Sequence, residues 1–236
     1  MADADSDTEF DADAIEAGRL LFAQACDFVI GAAGLDQVPP TDIAEIAFAG
    51  RSNVGKSSLV NALTRRNTLA RTSRSPGRTQ QLNFFDLGGR LMLADLPGYG
   101  FARAPKDQVK AWIALVRAYF RGRAPLRRVL VLIDARHGLK AVDRETMALM
   151  DEAAVSYQVV LTKADKVNAG ALATCLETCA DELARRPAAH PHILATSAHS
   201  GAGVPELRAA LATLAEPPAG GRSSPGAAGW GTATGP

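Results

Sequence analysis

The chain has 236 residues, 47% hydrophobic and 22% charged, long enough for one full core with extensions and no covalent staples. It contains no run of eighteen apolar residues and no basic start leading into an apolar segment and a cleavage site, so no membrane association is expected and a cytoplasmic location is. The net charge of +1 conceals an asymmetry: residues 1–45 carry eleven acidic side chains and one basic, Arg19, whereas residues 51–128 carry sixteen Lys and Arg against Asp86, Asp95 and Asp107. A basic segment of that size points to a polyanionic partner, with a solvated surface as the alternative.

Residues 1–14 are acidic, repetitive and poor in large apolar side chains, which predicts disorder. An amphipathic helix is expected over residues 15–30, and Pro39-Pro40 marks the entry to the main domain. The expected organisation is an acidic extension over residues 1–37, a folded domain over 38–216, and a Gly/Pro/Ala-rich disordered tail over 217–236. Trp230 in that tail is either a docking residue or a stray aromatic.

Between these ends, apolar runs predict strands over residues 43–49, 81–86, 90–95, 128–134, 157–162 and 192–196. Helical periodicity predicts helices near 56–66, 106–122, 143–154, 169–186 and 203–215, the second burying Val109, Trp112, Ile113, Val116 and Phe120. Cys175 and Cys179 lie four apart on one of these helices without a second ligand cluster; they read as helix-face residues, a metal site being the alternative. Leu87-Gly88-Gly89 signals a hairpin, hence one antiparallel strand at the sheet edge. The fold class is α/β, a six-stranded, mostly parallel sheet with one antiparallel edge strand and helices on both faces. Ligands of such sheets sit beyond the carboxyl ends of the strands.

Four strand ends carry chemistry. Gly50-Arg51-Ser52-Asn53-Val54-Gly55-Lys56-Ser57 is a G-x-x-x-x-G-K-S phosphate-binding loop between a buried strand and a helix. Its glycines let backbone N–H groups point inward, Lys56 supplies a point charge for β and γ phosphates, and the Ser57 hydroxyl suits Mg²⁺. Asp95-Leu96-Pro97-Gly98 places a carboxylate opposite that loop, where it can hold Mg²⁺ through water, and leaves the Gly98 N–H for a γ-phosphate. In Thr162-Lys163-Ala164-Asp165 the aspartate can accept both the N1–H and the exocyclic amine of guanine, which selects GTP over ATP. Lys163 is expected to lie over the base and tie back to the phosphate loop. Thr196-Ser197-Ala198 ends the last strand, with the Ala198 N–H available to the guanine O6. The polar stretch Ser73 to Gln81 holds Thr79, the candidate to complete Mg²⁺ coordination and sense the γ-phosphate as a switch.

GRSNVGKSS, PGRTQ followed by LNFF, DLPGYG and LTKADK, in this order and spacing, resemble the EngB (YihA/YsxC) family of bacterial GTPases, of the TrmE-Era-EngA-EngB-Septin-like superfamily, over about residues 38–215. The resemblance implies a P-loop GTPase fold and a GTP-hydrolysing switch in assembly of the large (50S) ribosomal subunit, needed for normal cell division and septation. The alternative is a GTP-dependent recruitment protein for division with little catalysis. It implies GTP contacts at Gly50 to Ser57, at Gly77, Arg78, Thr79, Gln80 and Gln81, at Asp95 to Gly98, at Thr162 to Asp165 and at Thr196 to Ala198. Mg²⁺ is implied at Ser57 and Thr79, and ribosomal RNA and large-subunit precursors are the implied partners of a monomer.

Many regulatory GTPases place a glutamine directly after D-x-x-G to orient the attacking water. Here that residue is Tyr99, so intrinsic hydrolysis is expected to be slow, with Lys56, Asn53, Thr79 and Gly98 carrying what catalysis there is. Asn53 stands where some related GTPases that lack the glutamine use an asparagine to ligate K⁺, which would then accelerate turnover. Arg65, Arg66, Arg71, Arg74 and Arg78 crowd the first helix and the switch, and Arg117, Arg121, Arg123, Arg127 and Arg128 crowd the second helix and its exit. RNA affinity is expected to depend on GTP.

Overall fold

The computed structural model describes residues 10–66, 81–100 and 106–215. Helix α1 (Ala12–Phe22) begins on Asp11, whose carboxylate accepts the Ala14 N–H at 2.7 Å. The chain then turns and returns as strand β1 (Cys26–Ala32), so the helix expected through residue 30 stops eight residues early. The reason is tertiary. Phe28, Val29 and Ile30 suit an extended chain as well as a helix, and pairing decides between them: β1 runs antiparallel to β3 (Leu82–Leu87), Cys26 opposite Leu87 and Ala32 opposite Leu82.

The remaining elements follow the expected order. They are β2 (Glu45–Gly50), α2 (Lys56–Thr64), β4 (Leu91–Asp95), α3 (Lys106–Gly122), β5 (Leu126–Asp134), α4 (Ala141–Glu152), β6 (Tyr157–Thr162), α5 (Ala169–Leu183), β7 (Leu194–Ala195) and α6 (Val204–Ala212). The sheet order is β1-β3-β4-β2-β5-β6-β7, seven strands among the described residues rather than six. Strands β4, β2, β5, β6 and β7 run parallel; β3 pairs antiparallel with β4 but is covered by β1, which takes the edge. The hairpin turn between β3 and β4 needs positive φ at both Gly88 (61°) and Gly89 (65°).

Each central strand is buried on both faces, as a doubly covered parallel sheet requires. Alternate residues serve opposite layers. Ala47, Ala49, Val131, Ile133, Val159 and Leu161 meet Val116, Tyr119 and Phe120 of α3 and Met147 and Met150 of α4. Ile46, Phe48, Leu130, Leu132 and Val160 meet Leu21 and Phe22 of α1, Leu59 and Leu63 of α2 and Leu207 and Leu211 of α6. Trp112 and Ile113 are half-buried, and the side chain of Val109 lies outside the described set. Cys175 and Cys179 sit one turn apart on α5; burial pushes the Cys179 thiol up to about 12, in keeping with a helix-face residue. No helix among the described residues is long and apolar enough to cross a membrane.

Part of the basic stretch is spent inside the fold. Arg123 makes a two-pronged ion pair with the fully buried Glu45 (3.0 and 2.7 Å) and donates to the Pro39 carbonyl at 2.9 Å, while the Tyr119 hydroxyl donates to Glu45 at 2.6 Å. Arg117 and Arg121 pair with Glu152, and Arg128 donates to Gln158 at 3.1 Å. Of the five arginines expected to form the second basic cluster, only Arg127 is exposed with no partner among the described residues.

Gly18 of α1 crosses α6 at backbone contact, and a Cβ there would stand 2.6 Å from the Ala209 nitrogen and 2.7 Å from the Arg208 carbonyl carbon. Gly to Ala at an exposed helix position stabilises by about 1 kcal/mol. Here the sign reverses: Gly18→Ala is expected to lower stability by about 1–3 kcal/mol in urea unfolding, because the helices must separate. A stabilised variant would show that α1 is not part of the cooperative core.

Candidate nucleotide-binding site

The ends of β2, β4, β5, β6 and β7 deliver five loops to one edge of the sheet. The loop after β2 wraps tightly: Asn53 has φ 63° and Gly55 φ 107°, and a Cβ on Gly50 would meet Val54 Cγ1 at 2.8 Å. Val54 is buried and acts as the plug on which the loop turns. The first N–H groups of α2, from Lys56 on, have no intrahelical acceptor and, with the helix dipole, make the concavity a site for anions. Ser57 is half-buried beside them, and the Ser52 hydroxyl is buried without a hydrogen-bond partner among the described residues.

Two side chains from the β6 end fasten this loop from one flank. The Thr162 hydroxyl donates to the Val54 carbonyl at 2.6 Å, and the Lys163 ammonium donates to the Asn53 carbonyl at 2.6 Å, the tie expected from the sequence. Lys163 itself adopts φ 58°, and its ammonium also reaches Asp134 Oδ2 at 2.9 Å. Asp134, at the end of β5, receives Arg136 Nε at 2.9 Å and its second nitrogen at 2.8 Å. Burial alone would raise the Asp134 carboxyl, but the Arg136 and Lys163 hydrogen bonds outweigh it and hold the group well below the ordinary carboxylate range. Sequence reasoning passed over Asp134; its position at a strand end was the only signal.

The β7 end sets the far side. The Ser197 hydroxyl is buried, accepts the His199 and Ser200 N–H groups at 3.2 and 3.1 Å, and is left to donate its proton to Asp165 Oδ1 at 2.6 Å. That bond, first, and the bond from Lys166 keep the Asp165 carboxyl below its usual range, so it is an ionised acceptor of fixed orientation. Thr196 is scaffold: fully buried, its hydroxyl donates to the Leu161 carbonyl, and its own carbonyl accepts the Ala164 N–H. Ala198 is exposed at the rim.

The other flank is the segment after β4. Lys56 forms an ion pair with Asp95, both side chains about one-eighth exposed. The Leu96 side chain is in the core, so only its backbone faces the loop. Gly98 lies close over Ser52, where a Cβ would be 3.1 Å from the Ser52 hydroxyl and 3.2 Å from its nitrogen. The Tyr99 ring turns away from the concavity into the core, its hydroxyl bonded to Asp143 at 2.9 Å, so it cannot orient a water as a glutamine would. Gln81 directly precedes β3, its side chain beside Gly31 of the edge strand β1. Gly77, Arg78, Thr79 and Gln80 lie outside the described residues, as do Arg71, Arg74 and Trp230. Arg65 and Arg66, exposed after α2, line an open cavity of about 420 Å³ with Phe22, Gln24 and Thr64.

A mostly parallel α/β sheet with this loop, D-x-x-G and T-K-x-D at the ends of β2, β4 and β6 defines a P-loop GTPase. A family model described as 50S ribosome-binding GTPase matches residues 45–163. A Rhodospirillum rubrum protein named "Probable GTP-binding protein EngB" is 60% identical over 217 residues, covering 90% of this chain and 94% of its own. A protein of the same name from Hyphomonas neptunium is 56% identical over 216 residues, covering 90% and 98%. The crystal structure of a probable GTP-binding protein engB superposes with TM-score 0.58 at 22% identity, covering 72% of this chain and 98% of that one. Aquifex aeolicus Era bound to GDP and aluminium fluoride gives 0.59 at 19%, covering 75% and 58%; at such identities these two show the fold. The chain belongs to the EngB family of GTP-binding proteins.

Lys163 and Asp134 lie at the β6 side of the phosphate loop, away from the segment expected to meet a third phosphate. Asp134→Asn is therefore expected to weaken both nucleotides by a similar factor, about tenfold, measured with fluorescent analogues. Because the folded carboxyl is depressed, its contribution to stability is present above about pH 4 and is lost as pH falls further. The stability gap between the unaltered protein and the variant should shrink below that pH, and a gap that is flat with pH would contradict the assignment.

Proposed function

We propose that the protein hydrolyses GTP as a molecular switch in assembly of the large ribosomal subunit, acting as a cytoplasmic monomer, with cell division and septation dependent on that role. The observation that carries the guanine reading is Asp165, an ionised acceptor oriented by Ser197 on a loop that Lys163 ties to the phosphate loop. Two acceptor oxygens match the N1–H and amine of guanine, and adenine offers no such pair. Within Gly50 to Ser57 the Ser52 and Val54 N–H groups are spent on the Tyr99 and Arg51 carbonyls, and those of Asn53, Gly55, Lys56 and Ser57 receive the phosphates. Lys56 exchanges Asp95 for the β and γ phosphates, and the Gly98 N–H meets the third. Residues 77–81, Asp95 to Gly98, Thr162 to Asp165 and Thr196 to Ala198 complete the enclosure.

The hydroxyl of Ser57, at the start of α2, and the carboxylate of Asp95, which the Lys56 ammonium brings against the same loop, are hard oxygen donors of the kind Mg²⁺ takes. Ser57 and Thr79 are proposed to hold the ion, which when bound neutralises charge on the phosphate oxygens. With Tyr99 withdrawn into the core, water positioning falls to the phosphate loop. Asn53, exposed with a left-handed backbone at the loop's outer turn, is proposed to ligate K⁺ there. Turnover in K⁺ is expected to exceed that in Na⁺ at matched ionic strength by at least about tenfold, and equal rates would remove Asn53 from catalysis.

Support for the ribosomal reading comes from the description of the matching family model and from Arg65 and Arg66, which are exposed where α2 runs into the switch segment. Ribosomal RNA is proposed as the polyanion. Precursors of the large subunit should cosediment with the protein in a non-hydrolysable GTP analogue and release it in GDP, with affinity falling steeply as salt rises. Identical binding in the two nucleotide states would refute the switch.

A further inference from the structure

The side chains of Asp143, Tyr99 and Arg51 form a cluster, the first two buried and Arg51 about one-fifth exposed, that takes no part in the nucleotide contacts proposed above. Tyr99 directly follows Gly98 and is stitched to the phosphate loop by its backbone, its N–H donating to the Gly50 carbonyl and its carbonyl accepting the Ser52 N–H, both at 3.1 Å. Its ring packs on Trp112 with centroids 5.8 Å apart, and its hydroxyl ends on Asp143 Oδ1. Asp143 is fully buried at the start of α4, where Oδ2 accepts the Lys140 N–H at 2.8 Å and lies 3.3 Å from Arg51 Nε. That guanidinium nitrogen is buried and makes no hydrogen bond among the described residues, where the carboxylate is its charge partner.

Burying a carboxylate is costly unless it is paired and hydrogen-bonded. Supporting a helix start needs only a neutral acceptor, which an asparagine would supply. The charge is instead shared between one side chain from each loop flanking the phosphate site. Gly98 lies at close contact over Ser52, and Gly100 is at ordinary van der Waals distance from Val142 and Arg51. The Tyr99 side chain is thus anchored on a backbone packed on both sides, and what holds that side chain bears on the Gly98 peptide next to it.

We propose that Asp143 is a positioning residue of the switch: by holding Tyr99 and Arg51 together it sets the height of the Gly98 peptide over the phosphate loop, and with it the protein's selectivity for a third phosphate. The inference rests on the proposed placement of the γ-phosphate at Gly98. It makes nucleotide discrimination depend on α4, an element that supplies none of the expected nucleotide contacts. GDP has no third phosphate, so the cluster should matter to GTP alone, unlike Asp134.

The test uses the full chain in a Trp230→Phe background, which leaves Trp112 as the single tryptophan. Tyr99→Phe deletes one oxygen, and Asp143→Asn removes the charge while keeping an acceptor for Lys140. Each is expected to weaken a non-hydrolysable GTP analogue about tenfold and to lower kcat by a similar factor, with GDP affinity within about twofold. The double variant should be no worse than Asp143→Asn alone, since both act through one bond. The Trp112 emission change induced by the GTP analogue should be lost in each. Variants that bind both nucleotides as the unaltered protein does would overturn the proposal. So would parallel loss of both nucleotides with a fall in melting temperature, which marks a purely structural cluster. Should Asp143→Asn fail to fold, Tyr99→Phe decides alone. An unaltered protein that binds no guanine nucleotide overturns the functional reading itself, whereas one that binds GTP and GDP normally while the variants show no split overturns only the role of Asp143.

Discussion

The ammonium of Lys163 holds the two ends of the site at one separation. It donates to the Asn53 carbonyl on the phosphate loop and to Asp134 at the end of β5, from a residue whose own φ of 58° aims it there. A loop of glycines and small polar residues has many alternatives, and each backbone carbonyl turned outward and captured removes some of them. With Thr162 holding the Val54 carbonyl next door, the outer face of the loop is bonded and the N–H groups are left to point inward. Asp165, the proposed reader of the base, rides on the same segment, so in that proposal the distance from base to phosphate is built into the strand spacing of the sheet.

The charges around this loop follow one pattern. Asp134, Asp143, Asp95 and Asp165 each face a cation or a fixed donor, and each joins elements that are distant in sequence. Such pairs contribute modestly to net stability because desolvation offsets attraction. What they supply is position. In the proposed complex Asp134 sets the base end, common to every guanine nucleotide, and Asp143 the flank that a third phosphate would reach. Lys56 and Asp95 occupy each other in the meantime, a pairing that phosphate and magnesium compete with directly.

The local chemistry of the site was readable from the chain because it is written in neighbouring residues. Gly50 and Gly55 around Lys56, the Gly88-Gly89 turn and the T-K-x-D segment all depend on what a backbone can do over a few positions. Strand β1 was not readable, since Phe28, Val29 and Ile30 satisfy a helical face as well as an extended one, and the decision was made by β3, more than fifty residues away. The same limit explains the arginines. Counting charge could not reveal that Arg123 closes on Glu45, 78 residues distant, or that Arg117 and Arg121 share Glu152. Asp134 and Asp143 escaped notice because a carboxylate acquires its role from partners that only the fold brings near.

The account stands on the phosphate loop being assembled before nucleotide arrives, tied on one flank by Lys163 and Thr162 and on the other by Tyr99. Amide hydrogen exchange on the nucleotide-free protein measures this directly, because the Ser52 and Tyr99 amides are the donors of the second tie. The prediction is that both are protected to an extent approaching the core strands, and that GDP adds protection chiefly at Asn53, Gly55 and Lys56. Free exchange at Ser52 and Tyr99 until nucleotide is added would show that the ligand builds the loop, and would contradict the account.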